Sequence, residues 1–151
     1  MPYRLERTTF IPRPQQEVFA FFSEAANLER ITPPFLGFEI VTPQPIAMKP
    51  GTLIDYRIKL FGVPMYWKTL IKEYEPISHF VDVQLKGPYR LWHHRHEFTS
   101  VPDGTQMRDQ VDYELPFGPL GTIARTLFVR RTLDKIFDYR TSVIQDIFQN
   151  R

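Results

Sequence analysis

The sequence contains no cysteine among its 151 residues. This absence excludes disulfide bonds, thiolate metal sites and cysteine nucleophiles. An excess of one charge is also lacking, because 19 Lys and Arg residues stand against 17 Asp and Glu residues and leave a net charge of only +2. A charge this small gives no reason to expect a nucleic acid or an anionic membrane as a partner.

Long apolar runs and low-complexity tracts are missing as well. No apolar run approaches the ~18 residues that a membrane span needs. The opening residues, MPYRLERTTFIP, are charged and alternating and do not resemble a signal peptide. We therefore expect one soluble, cytoplasmic domain over residues 1–151, without stable membrane insertion, as a monomer or a homodimer.

The chain begins with a predicted strand and two short helices. Residues 3–11 mix β-formers with charges, and the prolines that follow end the strand. The next segment repeats large apolar residues at helical spacing, namely Val18, Phe21, Phe22 and Ala25. Ser23 is a candidate N-cap for a second helix that ends near Arg30.

The middle of the chain predicts about six strands separated by turn signals. These strands cover residues 38–41, 52–60, 65–71, 79–85, 90–99 and 105–115. From about residue 119 to 149 the period changes to that of one long helix. Its predicted buried stripe consists of Leu120, Ile123, Ala124, Leu127, Phe128, Ile136, Phe137, Val143, Ile144, Ile147 and Phe148, with Leu133 beside it. Its basic residues, which include Arg125, Arg130, Arg131, Lys135 and Arg140, are assigned to a solvated face.

This order of elements predicts an α+β protein in which an antiparallel sheet carries helices on one face. Four segments, VFAFFSEAANLERITPPF, GTLIDYRIKLFGVPMYWKT, FVDVQLKGPYRLWHHRHEF and DYELPFGPLG, resemble the START-like superfamily, also called the SRPBCC or polyketide cyclase/dehydrase and lipid-transport superfamily. The resemblance is to its small stand-alone bacterial domains. It implies the helix-grip fold, with a curved sheet of six or seven strands around the long helix and a cavity between them.

Three of the four histidines lie in the segment LWHHRHEF, residues 91–98. Side chains alternate between the faces of a strand, so Trp92, His94, His96 and Phe98 share one face. Burying Trp92 and Phe98 is worth roughly 1.5–3 kcal/mol each and should carry the two histidines inward. His93 then lies outside, between charged neighbours.

The turn at residues 102–104, Pro-Asp-Gly, pairs this strand with the next one. Paired residue numbers should add up to either 205 or 207, and the sequence leaves both registers open. The first register sets Asp109 opposite His96, and the second sets Tyr113 opposite His94. Both registers turn Asp109 and Tyr113 toward the histidine face.

One face of the sheet thus combines large apolar side chains with several polar groups, which is typical of a ligand pocket. The alternative is an ordinary core in which Asp109 and His96 form a buried pair. The segment Phe80–Gln84 is ambiguous: propensity turns its valines inward, whereas the resemblance suggests a polar lining. The candidate ligand-binding residues are Tyr56, Trp67, Phe80, Asp82, Gln84, Trp92, His94, His96, Asp109 and Tyr113. Phe35, Leu36 and Phe38 form either a gate at the cavity mouth or simple packing.

The leading functional hypothesis is a binding or carrier protein for a small hydrophobic molecule, either aromatic or lipid-like. One alternative is a cofactor-independent cyclase, dehydratase or hydrolase that uses His94 or His96 with Asp109 as an acid–base pair. A second alternative is a protein-interaction adaptor with a filled interior. His-x-His can bind zinc with His79 or Asp109 as a third ligand, but this signal alone is weak, so we expect no metal and no cofactor.

Overall fold

The computed structural model describes residues 3–60, 62–115 and 122–149. In these ranges the chain forms seven strands, three α-helices and one 3₁₀ turn. In chain order they are β1 (Tyr3–Ile11), α1 (Gln15–Phe22), α2 (Ala25–Arg30), the 3₁₀ turn (Pro34–Leu36), β2 (Glu39–Ile40), β3 (Leu53–Leu60), β4 (Val63–Glu75), β5 (His79–Lys86), β6 (Leu91–Val101), β7 (Gly104–Glu114) and α3 (Thr122–Gln149). The α+β helix-grip prediction is confirmed.

All seven strands join one antiparallel sheet in the order β1-β7-β6-β5-β4-β3-β2. Two register shifts interrupt the pairing of β4 with β5, one between Lys68 and Thr69 and one between Ile71 and Glu73. Such irregularities bend and twist a strand locally. They contribute to the curvature that lets the sheet wrap around α3.

The β6–β7 hairpin adopts the first of the two predicted registers, because His96 pairs with Asp109. Its turn places Asp103 at φ 68°, a left-handed conformation that aspartate tolerates better than most residues. A Cβ atom on Gly104 would overlap the carbonyl oxygen of Ile11. Glycine therefore lets β7 begin this close to β1.

Helix α3 is continuous over 28 residues, or about 42 Å at ~1.5 Å per residue. The predicted long helix is confirmed from residue 122 onward, whereas Leu120 lies outside the described residues, as do the side chains of Ile123 and Ala124. The buried face of α3 is formed by Leu133, Phe137, Arg140, Ile144 and Phe148.

The prediction that Leu127 and Phe128 belong to the buried stripe is wrong. These side chains are 50% and 55% exposed, whereas Leu133 is 2% exposed. At ~100° per residue, Phe128 and Leu127 lie roughly 140° and 240° around the helix from Leu133. The face that packs on the sheet is therefore set by the Leu133 series.

The predicted N-cap at Ser23 is also wrong. Ser23 ends α1, and the residue that precedes the first turn of α2 is Glu24, which forms no side-chain capping hydrogen bond. The hydroxyl of Ser23 is buried without a hydrogen-bond partner among the described residues. Ser23 therefore lies at the end of α1 rather than at the start of α2.

The buried side chains form three clusters around the inner face of the sheet. The first joins α1 to β5, β6, β7 and the end of α3, and includes Phe19, Phe98 and Ile144. The second joins Ala25 of α2 to β3 and β4, and the third joins β7 to α3. In the described part of the chain no helix is long and apolar enough to cross a membrane.

Candidate functional site

A cavity of about 160 Å³ lies between the sheet and α3. Strands β3 to β6 form its floor, α3 its roof, and the residues around the 3₁₀ turn and the β5–β6 turn its sides. Its apolar walls include Leu36, Phe38, Ile58, Trp92, Leu133 and Phe137. Its polar lining consists of Thr32, Tyr56, Trp67, Thr69, Asp82, Tyr89, His94, His96 and Arg140.

A second cavity of about 50 Å³ lies toward α1 and α2. Asp82, His96 and Arg140 line both cavities. The polar residues therefore occupy the boundary between two spaces whose walls are otherwise largely apolar.

Five charged or titratable residues, Asp82, His94, His96, Asp109 and Arg140, form what we call the polar cluster. The imidazoles of His94 and His96 stack with their centroids 3.7 Å apart and their planes at 27°. A carboxylate closes each end of this stack. His94 Nε2 lies 2.8 Å from Asp109 Oδ1, and His96 Nε2 lies 2.6 Å from Asp82 Oδ2.

The sheet register brings these side chains together. Asp82 on β5 pairs with His94 on β6, and Asp109 on β7 pairs with His96. Alternation places all four on the face that looks toward α3. Phe80 pairs with His96 and stacks on its ring at 4.1 Å, which fixes the orientation of that imidazole.

Arg140 reaches the cluster from α3. Its Nη2 atom lies 3.3 Å from Asp109 Oδ1, and the side chain is only 8% exposed. The guanidinium also lies 5.5 Å from the ring centroids of Phe22 and Phe137. The assignment of Arg140 to a solvated face is therefore wrong: its position seven residues after Leu133 returns it to the buried side of the helix.

Burial and partner charges oppose each other at the two carboxylates. Burial disfavours ionisation of Asp109, but Arg140 and the two imidazoles together hold its pKa well below the usual value. Burial has the same effect on Asp82, and the hydrogen bond from His96 and the nearby charges leave its pKa lowered. Both carboxylates are thus anionic at neutral pH.

The pKa values of the two histidines are shifted in opposite directions. Burial, with the charge on His96, lowers the pKa of His94 to about 4. Burial also acts against a charge on His96, but the flanking carboxylates of Asp109 and Asp82 raise its pKa above the usual value. The two carboxylates thus outweigh the effect of burial at His96 but not at His94.

A group of aromatic rings continues the wall beyond the histidines. Trp67 and Trp92 meet edge to face at 5.3 Å, and Tyr89 lies 4.9 Å from Trp92. The indole nitrogen of Trp67 is buried without a hydrogen-bond partner among the described residues. Burial, and then the charge of Asp82, raise the pKa of the Tyr56 phenol, which remains protonated and able to donate.

Seven of the ten predicted binding residues line one of the two cavities, and the other three support the site from outside them. Six line the larger cavity: Tyr56, Trp67, Asp82, Trp92, His94 and His96. Phe80 lines the smaller cavity. Asp109 lies behind the histidines, and Tyr113 packs with Val111, Leu133 and Phe137. The side-chain amide of Gln84 holds the turn before β6 through hydrogen bonds of 2.7 Å and 3.0 Å to the backbone of Tyr89.

The Phe80–Gln84 ambiguity resolves toward a polar lining. Phe80 is 4% exposed and Asp82 contacts the histidines, whereas Leu85 on the other face is 51% exposed. Val81 is buried although it belongs to the outer set. Residues at the proposed gate behave differently from one another, because Leu36 and Phe38 line the cavity and Phe35 is 57% exposed.

The histidines outside the cluster lie away from the cavity. His93 is half-buried on the outer face beside Asp112. His79, named as a third zinc ligand, instead lies 3.4 Å from Glu73. Asp109, the other residue named as a third ligand, does lie beside both histidines, 2.8 Å from His94 Nε2 and 3.4 Å from His96 Nδ1. Asp82 also offers a ligand atom, and its atom and those of His94 and His96 lie within 4.8 Å of one another.

The family of polyketide cyclases/dehydrases and lipid-transport proteins matches residues 11–138. The chain belongs to this family. Comparison with curated proteins found no match.

Solved structures with the same fold include several from bacteria. The Zhui aromatase/cyclase from Streptomyces sp. R1128 is similar with a TM-score of 0.79, 12% identity and coverage of 100% of this chain and 96% of that chain. A START superfamily protein from Mycobacterium smegmatis is similar with a TM-score of 0.68 and 12% identity. The match covers 95% of this chain and 98% of that chain. The nucleoside-diphosphate sugar epimerase from Corynebacterium glutamicum is similar with a TM-score of 0.69 and 24% identity. That match covers 94% of this chain but only 28% of the longer epimerase chain. These likenesses show the fold.

Proposed function

We propose that this protein binds a small hydrophobic molecule with a ring-sized apolar part and a polar oxygen, in the cavity between the sheet and α3. The observation that carries the proposal is a largely apolar cavity lined by Trp67, whose indole N–H is buried without a hydrogen-bond partner among the described residues. Membership of a family described by polyketide cyclases and lipid transport supports the same class of ligand.

The size of the cavity sets the size of the apolar part. A cavity of about 160 Å³ compares with the ~150 Å³ engineered cavity that binds benzene in an apolar protein core. We take the half-buried lining side chains Pro88 and Ile136 as the rim of the cavity. A single ring therefore fits inside, and a longer tail would extend past this rim.

The polar lining sets the chemistry of the ligand. A buried N–H without a partner loses hydrogen bonding that it had in water, at a cost of about 1–3 kcal/mol. A carbonyl or phenol oxygen on the ligand would accept from Trp67 and recover that loss. The cavity thus favours oxygenated aromatic molecules over plain hydrocarbons of the same shape.

An enzyme that uses an acid–base pair is the second candidate, and one contact favours it. His94 lines the cavity while its Nε2 atom bonds Asp109, which is the arrangement of an oriented general base. Such an enzyme would need no organic cofactor. The adaptor hypothesis required a filled interior, and the cavity argues against it.

The first experiment is native mass spectrometry of protein purified from its own host, which should detect a co-purified small molecule. Calorimetry then compares acetophenone with ethylbenzene, which has a similar shape but no acceptor oxygen. We expect acetophenone to bind more tightly, and we expect Trp67→Phe to remove the difference.

A matched pair of variants on α3 locates the binding site. Ile136→Phe adds bulk at the cavity rim, whereas Leu127→Phe adds it at a side chain that is 50% exposed. The first should weaken acetophenone binding at least tenfold and the second should leave it unchanged. Equal affinity in both variants would place the ligand elsewhere, and no binding together with no co-purified molecule would reject the carrier hypothesis.

A further inference from the structure

We propose that Asp82, His94 and His96, in the wall of the larger cavity, bind a divalent transition-metal ion, whether or not the cavity has the carrier function proposed above. The ligand atoms of the three residues lie within 4.8 Å of one another, with both histidines buried and Asp82 half-buried. Two imidazole nitrogens and one carboxylate oxygen are a donor set that suits zinc or ferrous iron.

The two contacts of Asp82 are close to the separations found between ligands of a metal ion. Asp82 Oδ2 lies 2.6 Å from His96 Nε2 and 3.8 Å from His94 Nδ1. With metal bonds of about 2.1 Å, tetrahedral ligands lie roughly 3.4 Å apart. On metal binding the Asp82–His96 contact would lengthen by about 0.8 Å and the Asp82–His94 contact would shorten by about 0.4 Å. The two imidazole nitrogens, which lie within 4.8 Å of each other, would adjust as well.

The surroundings of His94 are those of a metal ligand. Its Nε2–H donates to Asp109 at 2.8 Å, which leaves Nδ1 unprotonated and directed to the side of Asp82. A carboxylate behind a ligating histidine fixes the tautomer and raises the basicity of the ring. Arg140, 3.3 Å from the same Asp109 oxygen, keeps that carboxylate anionic.

The ligands are held by rigid parts of the fold. All three lie on the paired central strands β5 and β6, and Phe80 packs on the ring of His96 at 4.1 Å. Ligands on strands are positioned more accurately than ligands on loops. The site therefore needs little ordering when an ion enters.

The three residues leave part of the coordination shell open toward the larger cavity, which all three line. A divalent ion with two carboxylates and one guanidinium gives this region one positive charge. A water molecule, or an anionic oxygen such as a carboxylate or phenolate, would then complete the shell. The second option rests on the proposed ligand-binding function, whereas metal binding itself does not.

The test uses the full chain after treatment with a chelator, with Zn²⁺ and Co²⁺ as probes and no organic ligand present. Calorimetry should show one ion per chain, and Co²⁺ should give visible absorption bands of low coordination number. Long-range ¹H–¹⁵N spectra of the wild-type protein should show Zn²⁺-dependent shifts at Nδ1 of His94 and Nε2 of His96. The resonances of His79 and His93 should remain unchanged.

Two variants and one control separate this site from other metal binding. Asp82→Asn should weaken Zn²⁺ binding at least tenfold, and Asp109→Asn should weaken it by about 10–100-fold as expected for a supporting carboxylate. His93→Gln should leave the affinity unchanged. The proposal is overturned if folded wild-type protein binds neither ion, if the shifts occur at His79 or His93, or if Asp82→Asn retains full affinity. The wild-type spectra decide the question should Asp82→Asn fail to fold.

Discussion

Replacing Arg140 with methionine should be among the most damaging single changes in the chain. Methionine retains most of the side-chain length but removes the charge that lies 3.3 Å from Asp109. The carboxyl group of Asp109 is 4% exposed and would lose the cation that most strongly offsets the cost of burying its charge. Breaking a buried ion pair from one side typically costs about 3–5 kcal/mol.

Urea denaturation of chelator-treated protein, followed by tryptophan fluorescence and circular dichroism, measures the free energy of unfolding. We expect Arg140→Met to lower it by about 3–5 kcal/mol. Asp109→Asn removes the stranded charge, so adding it to Arg140→Met should recover part of the loss. The double-mutant cycle should give a coupling energy of about 1–3 kcal/mol.

Arg7→Met is the matched control because Arg7 also pairs with carboxylates, those of Asp134 and Asp138 at 3.0 Å and 2.6 Å. These pairs are partly exposed, and we expect a loss below about 1 kcal/mol. Equal losses in Arg140→Met and Arg7→Met would refute the reasoning. A coupling energy near zero between positions 140 and 109 would refute it as well.

Three further changes test other parts of the structure. His96→Ala should weaken acetophenone binding or lower the free energy of unfolding, while His93→Ala should do little to either; the reverse pattern would invert the face assignment of β6. Leu133→Ala should cost about 2–5 kcal/mol in urea denaturation, against at most about 0.5 kcal/mol for Leu127→Ala, and similar losses would contradict the buried face of α3. Gln84→Ala should cost about 1–3 kcal/mol through two lost hydrogen bonds to the turn before β6, and faster amide exchange in that turn should accompany the loss.

The inward position of the histidines could be predicted because strand alternation is a strong constraint. Trp92 and Phe98 need burial, and the alternation of side chains along a strand then determines on which face each residue between them lies. The Pro-Asp-Gly turn reduced the pairing of β6 with β7 to two registers, both with Asp109 on the inner face. Alternation and the turn therefore predicted three of the five members of the polar cluster, namely His94, His96 and Asp109. Asp82 was a candidate through the family resemblance alone, and its face stayed undecided.

Arg140 was missed because a basic residue among other basic residues is usually solvated. Its spacing from Leu133, Phe137 and Ile144 would have predicted burial, because Arg140 lies on the same side of the helix as these apolar residues. The orientation of Asp82 could not be decided from its own strand. It depends on how β5 pairs with its neighbours, and the register shifts in β4 are set by long-range packing rather than by local sequence.

The two-residue strand β2 has a consequence for how this protein behaves at high concentration. An open sheet edge exposes backbone groups that can pair with another chain and start aggregation. Beside β3, however, the amide of Val41 donates to the carbonyl of Asp55, and the Thr42 hydroxyl accepts from the amide of Asp55. The segment that follows contains Pro43, Pro45 and Pro50, none of which has an amide hydrogen to offer an incoming strand. This edge of the sheet is thereby protected against strand addition, which leaves β1 as the edge strand on the opposite side.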